Sequence, residues 1–66
     1  MQIVVNGVER IVPDRLTVAE LLVELAAEAK HVAVEVNREL VPRSRHANRQ
    51  LAEHDAVEVV TLVGGG

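Results

Sequence analysis

Short apolar blocks separated by polar breaks run through the first dozen residues. Gln2 to Val5 is an apolar run, Asn6-Gly7 interrupts it, and Val8 to Val12 takes it up again. Asn and Gly both tolerate the positive φ of a type I′ turn, so this pattern predicts an antiparallel hairpin. Pro13 and Asp14 then break the second strand. The period next changes from two to that of a helix. Val18, Leu21, Leu22, Leu25 and Ala29 make one apolar stripe, with Glu24 and Glu28 on the wet side. Thr17 is placed as N-cap and Glu20 three residues later completes a capping box, while Leu16 and Leu21 have the spacing of a hydrophobic staple. The expected helix covers residues 18–29, with Lys30 near its negative end.

Val32 to Val36 alternates again and is rich in β-branched residues, as a strand requires. Asn37-Arg38 reads as a tight turn into a brief strand, Leu40-Val41, which Pro42 closes. Residues 43–55 are polar, with Leu51 as the one core anchor, and predict an irregular surface segment with a helical turn near Ala47–Gln50. Ala56 to Val63 is the last and most apolar strand, with Val57, Val59 and Thr61 on one side and Glu58, Val60 and Leu62 on the other. One amphipathic helix among such strands must lay its stripe on a sheet face, which gives a two-layer α+β domain.

Composition narrows the possible functions. The chain has 66 residues, enough for one small domain. It has no Cys, so neither a disulfide nor a thiol nucleophile is available. It has no Phe, Tyr or Trp, so the core must be aliphatic. A net charge of −3 argues against a nucleic-acid binder, which would carry a basic surplus. No apolar run approaches a membrane span and the amino terminus lacks a signal-peptide layout, so the expectation is a soluble cytoplasmic protein.

The chain closes on Gly64-Gly65-Gly66, directly after an apolar strand. Ordinary termini are often glycine-rich and frayed. A tail without Cβ atoms, however, can enter a narrow cleft, and the one reactive group it delivers is the terminal carboxylate. Hairpin, capped helix, strands and terminal glycines together resemble the β-grasp fold of ubiquitin-like proteins. Within that group the chain is similar to the ThiS family of sulfur carriers in thiamin biosynthesis. The similarity lies in Thr17-Val18-Ala19-Glu20-Leu21-Leu22, in Val36-Asn37-Arg38-Glu39-Leu40-Val41-Pro42-Arg43 and in Val63-Gly64-Gly65-Gly66. It departs at His54-Asp55, where relatives often carry Gly-Asp; if that turn needs positive φ, His54 is strained.

The resemblance implies a ββαββ β-grasp domain over residues 1–63, with one helix on a mixed sheet of four to five strands, and a flexible tail over 64–66. It implies a carrier acted on by others, not a catalyst. A ThiF-like adenylating enzyme would use ATP and Mg²⁺ to activate the Gly66 carboxylate. A persulfide protein would supply the sulfur, and a ThiG-like thiazole synthase would receive it from the Gly66 thiocarboxylate. Gly64 and Gly65 would thread the tail. The chain itself would bind no cofactor; Asn6-Gly7 lacks the glycine pattern of a phosphate-cradling loop. The alternatives are a carrier for molybdopterin or cysteine synthesis, a protein modifier, and a plain binding module.

Other residues carry competing readings. If the helix covers the Val57 face, Val60 and Leu62 form an exposed patch beside the tail, available either for partner docking or for self-association. Arg38, Arg43, Arg45 and Arg49 form either a solvated segment or a steering surface for an acidic partner, with Arg43 as docking candidate. His31, His46 and His54 lack metal-site spacing and are expected at the surface. Glu24 and Glu28 sit on a polar helix face without a cleft, so they do not form a paired-carboxylate site.

Overall fold

A computed structural model describes residues 1–62. The first two strands, β1 (Gln2–Val5) and β2 (Val8–Ile11), form the expected hairpin. Asn6 and Gly7 have φ of 49° and 80°, both in the left-handed region that a type I′ turn demands. Helix α1 (Val18–Glu24) follows, then a 3₁₀ turn at Ala29–His31, β3 (Val32–Val36) and β4 (Glu39–Val41). A second 3₁₀ turn at Arg43–Arg45 precedes β5 (Ala56–Thr61). The sheet is mixed, in the order β2-β1-β5-β3-β4, with β1 and β5 parallel and the other pairs antiparallel. This is the α+β, β-grasp arrangement with five strands.

The helix stripe packs on one sheet face. Val18, Leu21 and Leu22 are buried with Ile3 and Val5 of β1, Val34 and Val36 of β3, Val41 of β4 and Val57 of β5. Leu16 and Leu51 complete this all-aliphatic core. Thr17 caps α1 as expected. Its hydroxyl accepts the Glu20 N–H at 3.1 Å, and the Glu20 carboxylate accepts the Thr17 N–H at 2.9 Å.

Three expectations need correction. The helix is seven residues long and stops well short of residue 29. Ala26 turns into the left-handed region at φ 56°. Its N–H then reaches the Val23 carbonyl at 3.0 Å, and that of Ala27 reaches Leu22 at 2.9 Å. Those two bonds are a Schellman stop, built here on alanine where glycine is usual. Lys30 consequently lies in the following 3₁₀ turn and not at the helix end.

The segment after β4 begins to turn earlier than expected, at Arg43–Arg45, and the turn continues until the Asn48 and Arg49 N–H groups reach the Arg45 carbonyl at 3.0 and 2.9 Å. It also has a structural task. The Arg49 and His46 carbonyls accept the N–H groups of Val18 and Ala19, both at 2.9 Å. First-turn donors of α1 that have no partner within the helix are thereby satisfied.

His46, expected at the surface, is 4% exposed. Its Nε2 lies 3.0 Å from the Val41 carbonyl, while Nδ1 is buried without a partner. The backbone bond to Ala19 draws the residue under the helix start, where it lines a cleft beside Ala19 and Leu22. His31 and His54 are exposed, as expected.

Candidate functional site at the end of the last strand

Strand β5 is the central strand of the sheet, bonded on both sides. On the β3 side the pairing runs from Val36↔Val57 to Val32↔Thr61, and the Leu62 N–H extends it to the His31 carbonyl at 2.8 Å. On the other side β1 ends at Val5, opposite Val57. There the Asn6 side chain continues the ladder. Its Nδ2 donates to the Val59 carbonyl at 3.1 Å, and its Oδ1 accepts the Val59 N–H at 2.8 Å. A side-chain amide carries the same donor and acceptor as a peptide group, so it substitutes for one more strand residue. Sequence reasoning used Asn6 for its φ alone and missed this second role.

The start of β5 is held as firmly. Asp55 is buried and accepts from Asn37 Nδ2 at 3.0 Å and from the Ala52 N–H at 2.8 Å. Asn37 Oδ1 accepts the Ala56 N–H at 3.0 Å. The β3–β4 turn, where Asn37 and Arg38 have φ of 52° and 69°, is thus tied to the entry of β5. His54 sits at φ 69°, so the turn before β5 does carry the expected strain.

Val60 and Leu62 are 54% and 53% exposed, on the sheet face away from α1. Val57 is buried on the helix side and Val59 is half-buried there. The condition for an apolar patch next to the chain end is therefore met. Arg43 is exposed in the 3₁₀ turn that follows β4. β4 pairs with β3 from Val36↔Glu39 to Val34↔Val41, so it runs towards the end of β3 where Val32 pairs with Thr61. Arg43, two residues beyond Val41, therefore leaves the sheet at the same end as Val60 and Leu62, two strands away from β5. Gly64, Gly65, Gly66 and the domain boundary at residue 63 lie outside the described residues. Among the described residues, no group of three or more acidic, His or Cys side chains could hold a metal ion. None of the helices there is long and apolar enough to cross a membrane.

Strand β5 is held on both edges, to Val59 on one and to Leu62 on the other, and Gly64-Gly65-Gly66 follow in the sequence. Comparison with known proteins gives this geometry a family, since the ThiS family model matches residues 2–66. The chain belongs to the ThiS family. It is a sulfur carrier of thiamine biosynthesis and not a catalyst. It is 38% identical over 53 residues to the sulfur carrier protein ThiS of Bacillus subtilis, covering 80% of each chain. A crystal structure of the thiamine biosynthesis protein ThiS from Geobacter metallireducens superposes with a TM-score of 0.86, at 38% identity and over all of both chains. A thiazole synthase of Paramagnetospirillum magneticum matches the whole chain at 42% identity, although this ThiS domain spans 20% of that protein's length.

Proposed function

We propose that this ThiS chain carries sulfur as a thiocarboxylate on Gly66 and delivers it to a thiazole synthase. The observation that carries the reading is the position of the tail. Gly64-Gly65-Gly66 follows a central strand whose exit is bonded from both neighbours. A carboxylate is a poor electrophile because its leaving group would be oxide. An adenylating partner supplies ATP and Mg²⁺, the Gly66 oxygen attacks the α-phosphorus, and pyrophosphate leaves. The terminal sulfur of a persulfide protein then displaces AMP at the carbonyl carbon, and a thiol cleaves the remaining S–S bond. The product is the thiocarboxylate. The chain's contribution is reach without bulk, since three residues lacking Cβ atoms pass where any side chain would collide.

Val60 and Leu62 form the docking contact nearest the tail, and Arg43, at the same end of the sheet, offers a contact to an acidic partner surface. The thiazole synthase relative supports that choice of recipient, because a domain like this one is part of the synthase polypeptide there. The reaction takes place among soluble cytoplasmic partners.

Deleting Gly66, or adding one residue after it, tests the proposal. Both variants are expected to unfold at the wild-type midpoint and to support no thiazole formation in a reconstituted system. Thiazole formation by either variant would overturn the reading.

A further inference from the structure

The sheet face opposite α1 is uncovered by any other described element, and its pattern is not simply apolar. Glu35 of β3 and Glu58 of β5 are direct cross-strand partners there. Both are exposed, and no ion pair among the described residues involves either. Like charges directly opposite on neighbouring strands repel. On β4, Leu40 stands opposite Glu35 and is 65% exposed; two residues along β5 stands Val60, opposite the small Ala33. Leu40, Glu35 and Glu58 therefore form one row across three strands. Ala33 and Val60 form the next, and Leu62 lies beyond them towards the tail.

We infer that this face receives the adenylating partner through one basic side chain seated between Glu35 and Glu58, with Leu40, Val60 and Leu62 packed on apolar surface around it. The inference rests on the proposed loading of Gly66. A cation placed between the two carboxylates is attracted by both and also removes their mutual repulsion, so it gains more than it would at a lone glutamate. The sign fits the occupant. An enzyme that aligns ATP with a carboxylate needs cationic groups around its active site, and this face adjoins the tail that must enter it. A second copy of this chain is a poor occupant, because two such faces together would gather four carboxylates.

The test uses the full chain with the adenylating enzyme that loads it, comparing wild type with Glu35→Gln, Glu58→Gln, the double variant and Glu58→Lys. Loading is read by intact mass at limiting and at saturating enzyme, at low and at moderate salt. Each single variant is expected to raise the enzyme concentration for half-maximal loading by about tenfold at low salt, and Glu58→Lys by more. Saturated loading should be retained and the salt dependence should flatten. Urea midpoints should not fall, because removing one charge relieves the repulsion; the affinity loss then cannot be ascribed to misfolding. Half-maximal concentrations and salt slopes equal to wild type in both single variants would overturn the inference while leaving Gly66 loading intact. Failure of the wild type itself to load would overturn both.

Discussion

Thr17 and Glu20 show how two side chains fix where a helix begins. Each side chain accepts the other's backbone N–H, so removing either one leaves only half of the box. Thr17→Ala should cost about 1 kcal/mol in urea unfolding. The same contacts set a pH dependence. The Glu20 carboxyl is held below its ordinary value of 4.5, chiefly by the Thr17 N–H and then by the Thr17 hydroxyl. The folded state therefore binds this proton less readily than the unfolded chain does. Its contribution is complete above the unfolded value and is lost as pH falls through the lower folded one. Glu20→Gln should flatten the decline of stability below about pH 4.5, measured as unfolding midpoint against pH; an unchanged acid limb would contradict this role. Both residues were legible in the sequence because capping chemistry is local. His46 was not, because its burial depends on a carbonyl bonded to a helix start far away in the chain.

At the scale of elements, strand positions followed from alternation and turn residues, and β1 and β3 have the expected bounds. The helix end did not follow. Leu25 and Ala29 continue the periodic stripe, and no glycine marks the stop, so the pattern runs on where the backbone turns. Left-handed φ costs a non-glycine residue roughly 1–2 kcal/mol. Replacing Ala26 by Gly should remove that strain at an entropic cost of about 0.4–1 kcal/mol, for a net stabilisation near 0.5 kcal/mol. A lower urea midpoint in Ala26→Gly would show that the Schellman stop is unstrained.

The hairpin turn offers a second test at this scale. Asn6→Gly keeps the positive φ but loses both bonds to Val59. It should lower stability by about 1 kcal/mol. Amide exchange should rise at Val59, whose N–H would lose its partner. Unchanged protection there would mean that Asn6 does not hold the strand end.

The whole molecule is a sheet with two unlike faces. One carries α1 and the aliphatic core; the other, bearing Val60 and Leu62, is open beside the chain end. The fold class could be inferred from order and period alone, since one amphipathic helix among five short strands has few ways to bury its stripe. The reading of the tail rests on its composition and place in the sequence, and Gly64-Gly65-Gly66 lie outside the described residues. The cross-strand meeting of Glu35 with Glu58 was not legible, because register between distant strands is set by tertiary pairing. Substituting Asp for Val60 should leave stability within about 0.5 kcal/mol, as for other surface positions. It should nevertheless weaken loading by the adenylating partner; equal loading at limiting enzyme would remove Val60 from the docking surface.

The central claim, that this chain holds sulfur at its last residue, is tested most directly by mass. Purified protein is incubated with ATP, Mg²⁺, an adenylating enzyme proven on a known carrier, and a sulfide source, and is then analysed intact and by fragmentation. The expected result is a mass gain equal to the exchange of one oxygen for one sulfur, localised to Gly66. An unchanged mass, with the enzyme active on its known carrier, would contradict the claim and leave the tail without its proposed chemistry.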